Sequence, residues 1–423
     1  MSQSSSPVSP QTATASEPKR QRDLRLDFYR GLGMFIIFIA HTPWNPWTLW
    51  IPARFGFSDA TEMFVFCSGM ASAIAFGAVF DRAGWLMGVV RVVHRIWQVY
   101  WAHICLFLII AGMMFGADQT GWFWRNYTNS LNLTHFINNP GMNVPGLLTL
   151  TYVPNYFDIL PMYLVILALL PIVMGIAKLA GEQMAPYVVG TFIAALWIAA
   201  NLDLLNLPAE PWSERSWFFN PFGWQLVFFT GFAFIRGWLP APPINKWLIG
   251  LSAAVLIASV PLNWHKLFQI WPELLEMSRD IKEFREKTQF GILRYIHFLA
   301  LAYLAYAASG ENGWRLQGGG LWGGFVAVVR KVGQQSLAVF LASLVIAQAI
   351  GITEDMTGKM GLGWPYHPSW VMYNFIGFGC LIAVAYTTAW FKKQPWRTAV
   401  KPSADTAQAS PAAKSPAKPA LAE

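Results

Sequence analysis

Charge is scarce in this chain. Only 12% of its 423 residues are Asp, Glu, Lys or Arg, against about 25% in an ordinary soluble domain. With 55% hydrophobic residues and a mean hydropathy of +0.38, that scarcity excludes a string of soluble domains. Cysteine is rarer still. Cys67, Cys105 and Cys380 all lie in apolar runs and form no CxxC, so neither a disulfide framework nor a zinc site is expected. The seven histidines include no HExxH pair, and no metal is expected. The net charge of +8 resides in short basic segments at the ends of apolar runs, which excludes nucleic acid as a partner. No small-residue cleavage pattern follows the first apolar run, which therefore reads as an uncleaved helix.

What is present is a succession of apolar runs, most of them near the roughly 20 residues that cross a bilayer. The expected fold is all-α, a polytopic integral membrane bundle of about ten helices, with the lipid bilayer as its solvent. The spans read as residues 26–42, 57–80, 85–115, 157–179, 187–201, 221–239, 247–262, 291–308, 334–350 and 370–391. They form one membrane domain, 23–397, between tails at 1–22 and 398–423 that are rich in Pro, Ser and Ala and expected to be disordered and cytoplasmic. Placing the first connection outside leaves Arg82, Lys178, Arg236, Arg315, Lys331 and Lys392 inside, as the positive-inside rule requires.

The outer connections are aromatic, as in "HTPWNPWTLW" and in residues 116–155 with Trp122, Trp124, Asn126, Asn129 and Asn132. An interfacial belt accounts for most such tryptophans; stacking on a sugar is the alternative. Residues 265–294 mix both charges with helical apolar spacing and read as an amphipathic helix along the membrane surface. At their end stand Lys287 and Arg294, with His297 one turn further on.

Ionisable groups inside a membrane are costly and mark function. In "RLDFYRGLGMFIIFIAH" Arg30 and His41 are eleven residues apart, within about 20° of one helix face and about 16 Å apart along the axis. An imidazole titrates near neutrality, so His41 suits the role of a general base. A snorkelling arginine and a helix-end histidine are the bland alternatives. In "RVVHRIWQVYWAH" Arg91 and Arg95 share a face and suit phosphate oxygens, with His94 and His103 on the same helix. "GFSDATEMFVFCSGM" brings Asp59 and Glu62, either of which would orient His41 if the helices meet. Ser68 and Gly69 read as close packing.

Here a family resemblance enters. "RLDFYRG" followed by His41 resembles the first-helix signature of the acyltransferase-3 superfamily, an arginine or lysine, ten residues, then a histidine. "EMFVFCSGM" resembles its second-helix element and "RIWQVYWAH" its third-helix arginine motif. "FGFSDATEMFVFCSGM", "DILPMYLVILALLP", "FNPFGWQLVFFTG", "LRYIHFLALAYLA" and "GQQSLAVF" are similar to the OpgC-type branch. The resemblance implies an enzyme of the bacterial inner membrane, both termini cytoplasmic. It would move an acyl group, by the branch's name succinyl, from acyl-CoA to a periplasmic glucan or related envelope polysaccharide, with no permanently bound cofactor. It would make His41 the catalytic histidine, Arg30 its partner, and Arg91 and Arg95 the CoA-phosphate side. The superfamily often spaces its third-helix arginines three apart; here the spacing is four, and Val92 occupies the alternative position. Lys287, Arg294 or Arg54 would meet the distal carboxylate of a dicarboxylic donor. An acetyltransferase acting on lipopolysaccharide or exopolysaccharide is an alternative reading. A proton-coupled transporter is another, although the chain shows no internal repeat of the kind such folds carry.

Overall fold

The computed structural model describes residues 23–123, 125–359 and 368–398. The expected tails lie outside these residues, apart from Thr398, as does Trp124. Helix α1 (Leu24–His41) is capped by the Asp23 side chain, and α2 (Ala60–Ser72) by an Asp59/Glu62 capping box. A π-turn at Ala73–Gly77 leads into α3 (Ala78–Gln119). Three short helices follow, α4 (Tyr127–Ser130), α5 (Thr134–Asn138) and α6 (Pro140–Thr149), in what the sequence suggested was loop. The chain continues through α7 (Ile159–Asn201), α8 (Pro221–Arg236) and α9 (Lys246–Ser259). After them come α10 (His265–Ile270), α11 (Pro272–Asp280) and α12 (Ile292–Ser309). The last are α13 (Gly320–Gln334), α14 (Ser336–Lys359), α15 (Pro368–Lys393) and α16 (Pro395–Thr398). The described residues hold no strand, only an isolated bridge between Pro208 and Ser216.

Among the described residues, five helical stretches are long and apolar enough to cross a membrane: Ala60–Gln119, Ile159–Asn201, Ile292–Ser309, Ser336–Thr357 and Ser369–Lys393. The first is interrupted at Gly84 (φ 81°, ψ 171°) and the second at Gly181 (φ 76°, ψ 163°). These breaks fall between the expected spans 57–80 and 85–115, and between 157–179 and 187–201. Helix α1 carries Arg25, Asp27 and Arg30, while α8 and α9 have only 16 and 14 residues. Each expected span thus coincides with a helical stretch, while length and composition alone mark five helices. The single amphipathic helix expected over 265–294 is instead α10, α11 and a 3-10 turn at Glu283–Arg285, broken at Pro272 and again after Asp280. Helix α13, which sequence reading left as a connection, buries Val326, Val329, Val332 and Gly333.

Two helix crossings are made close by glycine. Where α2 meets α8, a Cβ on Gly69 would stand 1.8 Å from the Phe228 carbonyl oxygen, and one on Gly231 2.2 Å from that of Phe66. Where α1 meets α13, Gly31 faces the Val329 carbonyl and Gly333 that of Asp27, at 2.0 and 1.8 Å by the same measure. Small residues let backbones approach where lipid supplies no hydrophobic drive for association. Gly69→Ala is therefore expected to force α2 off α8 at a cost of about 1–3 kcal/mol, seen as earlier thermal unfolding in detergent. Gly190→Ala, on α7 with nothing within 4 Å of the added methyl, is expected to leave melting unchanged or raise it.

Candidate active site

Helices α1 and α14 run parallel: Arg30 donates a short hydrogen bond to Ser336 Oγ, and thirteen residues on, just past the end of α1, Pro43 packs against Gly351. His41 is the last residue of α1. Its Nδ1 lies 2.8 Å from the Ile37 carbonyl oxygen. A carbonyl can only accept, so Nδ1 carries the proton and Nε2 keeps its lone pair. The imidazole packs edge to face with Tyr156, centroids 5.2 Å apart at 78°. Tyr156 is held with φ 86°, and its hydroxyl donates to the Leu344 carbonyl on α14 at 2.8 Å. Nothing in sequence pointed to Tyr156, because its signal is a backbone conformation; the "VPNYFD" turn around it was the available hint.

Asp59, Glu62, Lys287, Arg294 and His297 come together around the start of α2. Asp59 Oδ1 accepts from Thr61 N at 2.7 Å, and Glu62 Oε2 from Asp59 N at 2.7 Å. Lys287 Nζ reaches Asp59 Oδ2 at 2.6 Å. Arg294 donates through Nε to Glu62 Oε1 at 2.8 Å, and through a second nitrogen to the same oxygen, and lies 3.6 Å from Asp59. Two acids and two bases make a neutral set. Glu62 is fully buried and Arg294 nearly so, whereas Lys287 keeps some exposure.

Either carboxylate would orient the imidazole if it met it; here the Ile37 carbonyl holds Nδ1, while Asp59 and Glu62 bind Lys287 and Arg294. His297, buried on Gly56, accepts at Nδ1 from Ser58 N (3.3 Å), with Ser58 Oγ at 2.7 Å, and so ties α12 to the chain before α2.

At the other end of α1, Gln334 donates to Asp27 at 3.2 Å beside the Arg30–Ser336 contact, and Lys392 to Gln335 at 2.7 Å. Arg91 is exposed with its guanidinium 5.8 Å from the Phe76 ring, and Arg95 donates to Gln98 at 3.2 Å. His103 is buried on α3 with both ring nitrogens unpartnered. Ser68 bonds back to the Phe64 carbonyl of its own helix. No group of three or more His, Cys, Asp or Glu able to hold a metal occurs among the described residues.

Fold and site together define a multi-helix membrane protein whose polar residues meet between helices far apart in sequence. The chain belongs to the OpgC family: the family model described as "OpgC protein" matches residues 22–393. No curated protein and no solved structure matches it.

Removing one member of a buried pair strands the other's charge. Glu62→Ala is expected to cost about 3–5 kcal/mol, measured as lost thermal stability of the purified protein. Adding Arg294→Met to the same chain is expected to recover much of that loss.

Proposed function

We propose that this OpgC-family protein is a membrane O-acyltransferase, allied to the acyltransferase-3 superfamily, that moves a succinyl group from succinyl-CoA to hydroxyls of a periplasmic glucan. The observation that carries this reading is His41, whose Nδ1 is committed to a carbonyl and whose Nε2 is thereby a base. It lies on the face of α1 that bears Arg30 about 16 Å below. In an inner-membrane orientation with both termini cytoplasmic, the donor's phosphates bind low, at Arg30 or at Arg91 and Arg95. The pantetheine arm then carries the thioester towards the outer end of α1.

His41 Nε2 takes the proton of an acceptor hydroxyl as its oxygen attacks the thioester carbonyl. The tetrahedral intermediate collapses, the C–S bond breaks, and the imidazolium returns its proton to the departing CoA thiolate. The products are an ester and free CoA. Attack by His41 itself, followed by acyl transfer to the glucan, uses the same atoms in two steps. The neutral Asp59–Lys287–Arg294–Glu62 set supports an acetyl donor as the second reading: its cations are already matched, and a dicarboxylic donor would have to draw Lys287 from Asp59.

His41→Gln is expected to abolish transfer, a loss of about 10²–10⁴-fold, assayed by mass spectrometry of glucans acylated in proteoliposomes. Tyr156→Phe keeps the ring edge against His41 and is expected to retain activity within a few-fold. Tyr156→Ala frees the imidazole and is expected to lower kcat by about tenfold or more. Succinyl-CoA and acetyl-CoA compared in the same assay decide the donor.

A further inference from the structure

Just beyond His41 stands an assembly that the reaction above does not use. Trp44 is 64% exposed, and its backbone lies in the left-handed region at φ 63°. The residues on either side are pinned. Pro43 is wedged against Gly351 of α14, where an added Cβ would stand 2.9 Å from its ring. Asn45, buried, exchanges hydrogen bonds with Asn374 of α15 at 2.7 and 3.3 Å. A left-handed backbone is unfavourable for a non-glycine residue and persists only where its surroundings impose it. The direction in which the Trp44 side chain leaves the backbone is therefore set by the fold.

One face of that indole is covered. The Arg125 guanidinium lies 3.9 Å from the ring centroid. Arg125 Nε is 2.8 Å from Asp355 on α14, and the other Asp355 oxygen accepts from Tyr127 OH on α4 at 2.7 Å. A tryptophan that only anchors a helix in lipid headgroups needs neither an imposed backbone nor an arginine locked behind it. An aromatic plate with one face backed and the other turned out, on the chain that leaves the His41 helix, is built to receive a flat, largely uncharged ligand.

We propose that the open face of Trp44, backed by Arg125, is a carbohydrate subsite that stacks on the C–H face of a hexopyranose ring of the acceptor. This proposal rests on the acyltransferase reading for the identity of the acceptor. A ring stacked at Trp44 leaves neighbouring rings of the same oligosaccharide to reach His41. The subsite therefore serves chains of several sugars, and a single sugar gains little from it.

The test uses the full chain in proteoliposomes with an acyl-CoA donor, a linear β-glucan oligosaccharide of about six rings, and methyl glucoside as the one-ring acceptor. Trp44→Ala is expected to raise KM for the oligosaccharide about tenfold, the worth of one stacked ring. Its kcat, and both constants for methyl glucoside, should change little, while Trp44→Phe retains most of the affinity. An unchanged oligosaccharide KM in Trp44→Ala overturns the subsite. So does an equal loss on both acceptors, which marks a structural role. If Trp44→Ala does not insert, Trp44→Leu, apolar but without a π face, takes its place with the same expectations.

Equilibrium binding of radiolabelled oligosaccharide without donor separates the two readings. Binding by the native protein that Trp44→Ala loses supports the subsite even where no transfer occurs, and that combination refutes the acyltransferase reading alone. Transfer by the native protein with no dependence on Trp44 refutes the subsite alone. Absence of both transfer and binding refutes both.

Discussion

An ionised group placed among membrane helices needs partners, and in this protein they come from the far end of the chain. Glu62 meets Arg294 across 232 residues, and Arg30 meets Ser336 across 306. Buried charge left alone costs several kcal/mol, so these contacts fix which helices are neighbours more firmly than apolar packing can. The glycines complete the constraint. Gly69 with Gly231 seats α2 against α8, and Gly31 with Gly333 lets α13 approach α1 where Gln334 reaches Asp27.

A division of labour follows around His41. The four charged residues at the start of α2 satisfy one another and make a neutral, rigid frame, while the histidine takes its tautomer from its own helix and its orientation from Tyr156. Neither Asp59 nor Glu62 is hydrogen-bonded to the imidazole, so His41 is not oriented by a carboxylate as the histidine of a triad is.

Much of the architecture was legible in sequence because a membrane imposes a simple rule, an apolar run per crossing. The ten runs read from the chain correspond to helical stretches, and the glycine breaks fall between them. Helix α13 escaped notice because it is short, rich in glycine and apolar on one side only, so its run never reaches crossing length. In the site, spacing along a single helix revealed Arg30 and His41. Lys287, Arg294 and His297 stood out because they interrupt the charge pattern of their segment. That they join Asp59, Glu62 and Ser58 was beyond sequence, since contacts between distant helices leave no local pattern. Tyr156 and Trp44 were harder still: what distinguishes each is a backbone angle imposed by its neighbours.

The pairing of Asp27 with Gln334, and of Arg30 with Ser336, has a consequence for biosynthesis. Some three hundred residues must be made between α1 and the residues that satisfy it. The contacts of α1 with α13 and α14 can therefore form only after most of the chain has been made. The surroundings of α1, and with them the frame that holds His41, are thus completed only when the last third of the chain joins the first helix.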